Sequence, residues 1–262
     1  MDYKLKKENH DFWLERLKKN IPGKVCTNDI GLDEIESKQI LSRLCDHKNV
    51  LEIGCGDGLL YEKIRKLYKL SNFIGTDFVS ELIEECSSKK KENNDIFMEL
   101  DMTDVSKMTF SSKFDYIISK RSIQNVLDPI LQMEVIDNFG YFLNNDGHMI
   151  LVESNNDALQ NINIEREKYG LKKINPPFHN LFFKEDLLLN YEFKNVKLKY
   201  IDPFASDFYF ITRIIYARYA KEFLKEDPNY EHPLQKIALT MSSKQITTNF
   251  SQVKCYIFEK IK

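Results

Sequence analysis

The sequence lacks long apolar runs and any strong excess of charge of one sign. No stretch approaches the roughly 18 apolar residues that a membrane-spanning helix needs, and the first residues, MDYKLKKENHDFW, lack the apolar segment of a secretory signal. The net charge is −2 over 262 residues, so no overall field attracts nucleic acid or an anionic membrane. We therefore expect a chain that binds neither nucleic acid nor membrane.

Paired cysteine motifs and metal-binding patterns are also missing. The five cysteines are odd in number and scattered, with no CxxC pair: Cys26, Cys45, Cys55, Cys86 and Cys255. Such spacing favours free thiols in a reducing cytoplasm over disulfides or a zinc site. The five histidines are dispersed, and no pair of His or carboxylate residues has catalytic metal spacing. We predict a cytoplasmic protein without a bound metal.

The densest functional signal is a glycine-rich turn between a strand and a helix. Residues 50–53 form a predicted strand, and the glycines that follow stand at alternate positions, Gly54, Gly56 and Gly58. Glycine lets the backbone bend tightly and lets a ligand approach where a Cβ would block it. Helical apolar spacing begins at Leu59. A glycine turn beside a helix N-terminus is suited to a nucleotide-like ligand.

Two acidic residues stand at the ends of the next two predicted strands. Residues 72–77 form a strand that ends in Asp77, 23 residues after Gly54, where an acidic residue can accept hydrogen bonds from a ribose diol. A third strand over residues 95–100 is followed by Asp101. The glycine order is GxGxG, which differs from the GxGxxG of most dinucleotide sites. The glycine order and the second acidic strand end disfavour a nicotinamide dehydrogenase.

This set of motifs, EIGCGDG, then GTD, then LDM, resembles the class I S-adenosylmethionine (SAM)-dependent methyltransferases over about residues 48–153. The resemblance implies a methyltransferase with SAM as cofactor and S-adenosylhomocysteine (SAH) as product. By the same resemblance, Asp77 would hold the ribose hydroxyls, Asp101 the adenine amino group, and Met102 would lie against the ring. The cofactor-binding residues that we expect are Trp13, Glu52, Gly54, Cys55, Gly56, Asp77, Phe78, Asp101, Met102 and Ser119.

The alternation of strands and helices indicates an α/β fold. Five predicted strands alternate with helices, as in a parallel sheet with right-handed crossovers. Residues 196–201 and 253–260 form two more predicted strands. The resemblance implies that the last is inserted antiparallel between the two before it, so we expect a doubly wound seven-stranded sheet. We place a helical N-terminal cap at residues 1–47, the methyltransferase core at 48–262, and within it a helical insertion at about 202–251. An insertion of this length is rarely without function, and we expect it to build the acceptor pocket.

The N-terminal cap contains predicted helices over about residues 9–19 and 33–46. Phe12 and Trp13 on the first of these are large apolar side chains that are unfavourable in water. They either pack on the core or form a flap over the cofactor, and the sequence leaves both interpretations open. Strand five is predicted to begin at His148.

Candidate acceptor-binding residues follow strand four and recur in the second half of the chain. Lys120 and Arg121 stand at the carboxyl end of a central strand, where cations suit an anionic acceptor. His179, on a Pro-Pro turn, is the best candidate for a base. Tyr209, Arg213 and Tyr216, at i, i+4 and i+7, share one predicted helical stripe of the insertion. The expected catalytic residues are His179 and Arg121, and the expected acceptor-binding residues are Lys120, Arg121, Asn125, Asn180, Tyr209 and Arg213.

A second, looser resemblance concerns the acceptor. The segments PNYEHPLQKIA at 228–238, FHNL at 178–181 and FYF at 208–210 are similar to parts of methyltransferases from bacterial surface-polysaccharide clusters. This resemblance implies a small sugar-linked or phosphoryl-linked acceptor. One such acceptor is the phosphoramidate precursor of an O-methyl phosphoramidate capsule decoration.

Several alternatives stay open at the level of sequence. An alcohol acceptor needs a base, for which His179 is the candidate, whereas an ionised oxygen needs only positive neighbours. A non-catalytic SAM-binding partner subunit is a further alternative. Nucleic-acid methylation is disfavoured, because SKRS stands where an NPPY-like tetrapeptide would follow strand four and no basic tract is present. The identity of the acceptor and the oligomeric state do not follow from the sequence.

Overall fold

A computed structural model describes residues 3–19, 25–241 and 246–261. The strands are β1 Asn49–Ile53, β2 Asn72–Asp77, β3 Asp95–Glu99, β4 Phe114–Lys120, β5 Leu143–Ser154, β6 Val196–Asp202 and β7 Val253–Lys260. They form one seven-stranded sheet in the order β3-β2-β1-β4-β5-β7-β6. Residues 1–2 and 20–24 of the predicted cap and 242–245 of the predicted insertion lie outside the described residues.

The first five strands pair in parallel, and β7 runs antiparallel to both of its neighbours, β5 and β6. This topology confirms the predicted doubly wound sheet with the last strand inserted between the two before it. The strand order reverses direction between β1 and β4, and ligands of such sheets bind in the crevice at the carboxyl ends of the strands at that point. We therefore expect the ligand site at the loops that follow β1 and β4.

The helices of the described residues surround this sheet. They are α1 Tyr3–Lys18, α2 Ile30–Leu41, α3 Leu59–Leu67, α4 Ser80–Ser88, α5 Pro129–Gly140, α6 Asn156–Lys168, α7 Glu185–Asn190, α8 Ser206–Tyr209, α9 Tyr216–Tyr219 and α10 Pro233–Met241. Short 3₁₀ turns lie at Val105–Lys107 and Ile123–Asn125. No helix in the described part of the chain is long and apolar enough to cross a membrane.

Three predicted boundaries were wrong. The first helix begins at Tyr3, ahead of residue 9. The second covers residues 30–41 and not 33–46, because the Asp29 carboxylate caps it and accepts the hydrogen of Leu32 N at 3.0 Å. Strand β5 begins at Leu143, which already pairs with Phe114 before a register shift brings His148 opposite Tyr116.

Two apolar layers hold the helices against the sheet. Neighbouring residues of one strand point to opposite faces, so Val50 of β1 packs in the layer with α2, α3 and the insertion, whereas Leu51 packs in the layer with α5. Both side chains are fully buried. Burial of each such side chain contributes about 1.5–3 kcal/mol, which explains why the central strands read as continuous apolar runs.

The predicted helix of the insertion is a continuous helical run over residues 206–224, but it is not α-helical throughout. One π-helical turn, Phe210–Ile215, lies between α8 and α9. A second, Ala220–Leu224, follows α9. A π turn carries more residues than an α turn and therefore rotates the side chains that follow it. The helical stripe expected from α periodicity is broken at this point.

Candidate active site

The glycine-rich turn after β1 has the conformation that its sequence requires. Gly54 and Gly56 have φ values of 68° and 56°, a region that glycine adopts without strain. A Cβ on Gly54 would lie 2.3 Å from the Cβ of Ser122 in the loop after β4. The two loops at the switch point of the sheet are therefore packed closely enough that only glycine fits.

Asp77 closes one side of this turn. Its carboxylate accepts hydrogen bonds from Gly56 N at 3.0 Å and Val79 N at 3.1 Å. Burial nevertheless raises the pKa of Asp77 to about 6, because two backbone donors do not replace full hydration. Two further hydroxyl donors, such as a ribose diol, would complete its hydrogen bonding, so Asp77 fits the role that the resemblance implied.

Glu52 lies one residue before the end of β1 and is buried. Its Oε2 has no hydrogen-bond partner among the described residues, and burial raises the pKa of this carboxyl to about 8. A buried polar atom without a partner is uncommon in native proteins. An ammonium or hydroxyl donor of a ligand bound at the turn would satisfy it, which fits a cofactor that carries such groups.

The other end of the cofactor cleft is closed by α1. Lys6 Nζ lies 2.6 Å from Asp101 Oδ2 and 3.0 Å from Thr103 Oγ1. Hydrogen bonds from Lys6 and Thr103 lower the pKa of Asp101 despite its partial burial. Lys6 therefore pairs with the carboxylate that, by the resemblance, would bind the adenine amino group. Met102 and Phe78 line the cleft next to it.

Trp13 and Cys26 cover the middle of the cofactor cleft. Trp13 packs against the apolar cluster of Val79 and Leu82 at the start of α4, and the position of a Cβ on Gly56 would lie 2.5 Å from Cys26 Sγ. The cleft beneath them has a volume of about 80 Å³. Pockets for ligands of cofactor size hold roughly 300 Å³ or more, so this cleft has to widen for SAM to bind.

Two predicted cofactor residues point away from the cleft. Ser119 is buried, and its hydroxyl donates to Glu153 Oε1 at 2.6 Å. The Cys55 Sγ lies 3.8 Å from Cys86 Sγ, under the turn. Glu153, near the end of β5, accepts hydrogen bonds from Ser119 and from the backbone N–H groups of residues 122–124.

A second and larger cavity of about 590 Å³ adjoins the cofactor cleft. Its walls come from α1, the start of α2, the loops after β4 and β5, the Pro-Pro turn and the insertion. The predicted acceptor residues that line it are Arg121, His179, Asn180, Tyr209 and Arg213. Trp13, Cys26 and Arg121 line both this acceptor cavity and the cofactor cleft. The two pockets therefore meet at these three side chains.

Arg121 stands at this junction in an unusual backbone conformation. Its φ is 53°, which is uncommon for a residue other than glycine, and its backbone N–H donates to Val152 O at 2.8 Å. The guanidinium Nε lies 3.1 Å from Glu36 Oε2 but is not aligned for a hydrogen bond. Burial raises the pKa of Glu36 to about 7. The guanidinium of Arg121 therefore keeps hydrogen-bond donors for a ligand.

The face of α2 toward the site carries a row of carboxylates that sequence reasoning missed. Asp29, Asp33 and Glu36 follow the i, i+4, i+7 spacing of one helix face, and this spacing was the available signal. Each has a cation as partner: Asp29 pairs with Arg213, Asp33 with Lys120 and Lys63, and Glu36 with Arg121. Lys120 thus lies in the cofactor cleft beside Asp33 and does not line the acceptor cavity.

His179 lies on the wall of the acceptor cavity, beneath α1. Its ring stacks on Phe12 with centroids 4.0 Å apart and meets Trp13 edge-on at 5.5 Å. Burial and the nearby charge of Arg16 lower the pKa of His179 to about 4. Its Nδ1 has no hydrogen-bond partner in the described part of the chain. The imidazole is therefore neutral at pH 7 and a weak base.

The insertion contributes an arginine held between two tyrosine rings. The Arg213 guanidinium lies 5.3 Å from the ring centroids of both Tyr209 and Tyr230, and 2.5 Å from Asp29 Oδ2. Tyr230 was not predicted. Tyr216 leaves the stripe of Tyr209 and Arg213, because the π turn rotates it away, and stacks on His232 instead.

The two asparagines predicted to bind the acceptor line different pockets. Asn180 lines the acceptor cavity with a buried Oδ1 that has no partner among the described residues. Asn125 lines the cofactor cleft, and its Nδ2 donates to the carbonyls of Arg121 and Ser122 at 3.2 Å and 3.1 Å. The described residues contain no group of three or more His, Cys, Asp or Glu side chains that could hold a metal ion.

The comparisons with known proteins agree with this geometry. Residues 44–155 match a family model described as a methyltransferase domain. A curated relative, malonyl-[acyl-carrier protein] O-methyltransferase from Bacillus cereus, is 23% identical over 145 residues, which are 53% of this chain and 51% of the relative. The match therefore spans about half of that relative's length.

Two solved structures share the fold at low sequence identity. Phosphoethanolamine N-methyltransferase 1 from Haemonchus contortus, in complex with phosphoethanolamine and SAH, has a TM-score of 0.60 and 17% identity over 100% of this chain and 50% of its own. The N-methyltransferase NodS from Bradyrhizobium japonicum, in complex with SAH, has a TM-score of 0.57 and 13% identity over 97% of this chain and 99% of its own.

Proposed function

We propose that this chain, which carries a class I methyltransferase domain of the SAM-dependent type, methylates an anionic oxygen of a small metabolite. The match of residues 44–155 to a methyltransferase-domain model and the sheet topology support the predicted enzyme class and the cofactor. The acceptor and the residues that act on it are our proposal. They rest on the cavity that adjoins the cofactor cleft.

The observation that carries the proposal is the position of Arg121. Arg121 lines both the cofactor cleft and the acceptor cavity, and its Nε lies 3.1 Å from Glu36 Oε2 without a hydrogen bond to a described residue. An arginine with free donors binds carboxylate or phosphate oxygens, often bidentately. Three arginines but one carboxylate line the described walls of the cavity: Arg16, Arg121, Arg213 and Asp29. A positive potential there favours an anionic acceptor.

SAM supplies an electrophilic methyl group, and methyl transfer leaves SAH. The chain has to hold the acceptor oxygen in line with that methyl group and to exclude water. Arg121 would hold the oxygen, while Phe12 and Trp13 of α1 would close the junction to solvent. Alignment of this kind contributes up to about 7–11 kcal/mol to lowering the barrier, so no further catalytic group is required for an acceptor that is already ionised.

The pKa of His179 favours an anionic over a neutral acceptor. A sugar hydroxyl must lose a proton, and general bases are most effective when their pKa lies near the working pH. Burial and Arg16 hold the pKa of His179 at about 4, which makes it a poor base at pH 7. In our proposal the ring of His179 positions the acceptor and does not remove a proton.

The finer identity of the acceptor is also proposed here. We infer a phosphoryl- or sugar-linked building block of a bacterial surface polysaccharide, such as a phosphoramidate. The similarity of the 228–238 segment to methyltransferases of such clusters supports this choice. Two of the similar proteins are named for malonyl and phosphoethanolamine acceptors, which both carry an anionic group. We place the reaction in the cytoplasm, with no nucleic-acid or membrane partner.

A second candidate is methyl transfer to a neutral sugar hydroxyl with His179 as base. The free Nδ1 of His179 at the cavity wall favours it, because a hydrogen bond from the acceptor would pair this atom. The pKa of about 4 stands against it.

A metabolite screen with SAM labelled in its methyl group tests both candidates. Phosphomonoesters, phosphoramidate and carboxylates form one set of acceptors, and neutral sugars form the other. We expect label transfer to members of the first set and its loss in Asp77→Ala. Transfer to neutral sugars alone would refute the anionic acceptor. SAM binding without transfer to any acceptor would favour a non-catalytic partner subunit.

A further inference from the structure

A small side pocket opens from the acceptor cavity on the far side of Arg213. It lies between α6, the helical run over residues 206–224 and the segment before α10, and has a volume of about 170 Å³. Arg213 and Tyr230 line both the acceptor cavity and this side pocket. The side pocket therefore adjoins the acceptor cavity at these two residues.

The polar wall of the side pocket carries more positive than negative charge. Arg166 of α6 donates from Nε to Lys172 O at 2.8 Å and from Nη1 to Arg213 O. Both partners are neutral carbonyls, and no carboxylate of the described residues pairs with Arg166. Arg213 has one carboxylate, Asp29, on the cavity side. Burial and the charge of Arg213 lower the pKa of Arg166, which indicates positive charge that is not compensated.

The opposite wall of the pocket is held in place by its own contacts. Gln235 is buried and donates from Nε2 to Asn229 O at 3.2 Å, while its Oε1 has no partner among the described residues. Asn229 N donates to the Tyr216 hydroxyl at 3.1 Å. These bonds fix the segment before α10 against the helical run. Arg166 and Arg213 thus line one side of the pocket, and Asn229 and Gln235 line the other.

We propose that the side pocket binds a second anionic group of the acceptor, a phosphate or carboxylate, while the methylated oxygen lies at Arg121. This inference rests on the proposed function. The volume of about 170 Å³ corresponds to about five or six water molecules at roughly 30 Å³ each, which admits one such group but no second large ring system. The acceptor would then carry two anionic positions, one at each end.

A purely structural role for Arg166 makes a different prediction. The carbonyl of Arg213 lies in a π turn, and Arg166 pairs with it. If that bond were its whole role, replacing Arg166 would lower thermal stability without changing anion binding. The two roles can therefore be separated by measuring both quantities.

Calorimetric titration of the full chain with inorganic phosphate and pyrophosphate tests the inference. We expect Arg166→Gln to weaken binding about tenfold or more, because a charge-assisted hydrogen bond is lost. Arg218→Gln is the matched control, since Arg218 also donates to a backbone carbonyl, Tyr169 O at 3.0 Å, but pairs with Glu222 and lies outside the pocket. Arg218→Gln should bind both anions like the unmodified chain.

Asn229→Asp provides a second variant that leaves Arg166 in place. It keeps the Oδ1 that accepts the hydrogen of Glu231 N at 3.0 Å and adds a negative charge at the pocket. We expect it to weaken phosphate binding even if Arg166→Gln does not fold. Phosphate binding that is absent in the unmodified chain, unchanged in both variants, or lost only in Arg121→Gln would overturn the inference. SAH affinity and label transfer, measured in parallel, report on the proposed function separately.

Discussion

Lys6 Nζ lies 2.6 Å from Asp101 Oδ2, so α1 is tied to the end of the cofactor cleft that the sequence assigned to adenine. The same helix places Trp13 over the cleft, whose volume is about 80 Å³. We therefore expect cofactor binding and the position of α1 to be coupled. If α1 moves to admit the cofactor and then closes over it, the helix would exclude water from the junction at Arg121.

Removing the ion pair between Lys6 and Asp101 should make the cofactor cleft easier to enter. We expect Lys6→Ala to bind SAH faster, by a few-fold, because Asp101 no longer has to exchange a lysine for the adenine amino group. Stopped-flow fluorescence of Trp13 would measure the rate. Lys4→Ala is the control, since Lys4 lies on the same helix and pairs with Glu8 at 3.9 Å. A slower association in Lys6→Ala would mean that Lys6 holds the cleft open.

Cofactor affinity should depend on the ionisation of Asp77. The pKa of Asp77 is raised to about 6 in the cofactor-free chain, and a ribose diol donates to the ionised carboxylate. SAH affinity should therefore fall as the pH drops through about 6. Asp77→Ala should bind SAH about tenfold or more weakly, because charge-assisted hydrogen bonds are lost. Calorimetry at several pH values that finds equal affinity for both proteins would refute this site.

The buried carboxyl of Glu52 should lower stability at alkaline pH. Its pKa is raised from 4.5 to about 8 by burial, so the folded chain binds a proton that the unfolded chain has lost. Stability is therefore unaffected below about pH 4.5 and falls as the pH rises toward 8. Urea unfolding of the cofactor-free protein should show a smaller fall in Glu52→Gln. The exposed Glu84→Gln should behave like the unmodified chain, and an equal fall in Glu52→Gln would contradict the assignment.

Arg121 and His179 should differ in their effects on the reaction. The loss of one partner of a desolvated charge pair costs about 2–5 kcal/mol, so Arg121→Gln should lower kcat/KM about thirtyfold or more on the acceptor found by the screen. His179→Gln should keep a measurable fraction of the rate, since an ionised oxygen needs no base. The opposite result, an inactive His179→Gln and an Arg121→Gln with nearly unchanged kcat/KM, would favour a hydroxyl acceptor. Losing a general base lowers rates by about 10²–10⁴-fold.

Chelation should leave the rate of methyl transfer unchanged. The described residues hold no cluster of metal-ligating side chains, and the proposed mechanism needs no Lewis acid. Assays with and without EDTA on the same acceptor would check this. Activity that is lost with EDTA and restored by magnesium would show that the acceptor site uses a metal ion.

The sequence by itself determined the fold class and the cofactor motifs. The glycines at 54, 56 and 58 and the acidic residues Asp77 and Asp101 are local signals, because each depends on the backbone conformation or strand end at its own position. The same holds for the alternation of strands and helices that predicted the parallel sheet. Residue spacing within a short segment carries this information without knowledge of distant contacts.

Only the tertiary structure decided how the charges of the site are shared. Lys120, Arg121 and Arg213 looked alike in sequence, and each has a carboxylate partner. Lys120 and Arg213 donate hydrogen bonds to theirs, whereas the Nε of Arg121 lies 3.1 Å from Glu36 Oε2 without a hydrogen bond. The partners stand on α2, between 85 and 184 residues away in the chain, so no local pattern reveals the pairing. The side-chain directions in the insertion were equally hidden, because the π turns over 210–215 and 220–224 shift the helical phase after Arg213. Long-range packing therefore set which side chains line each pocket.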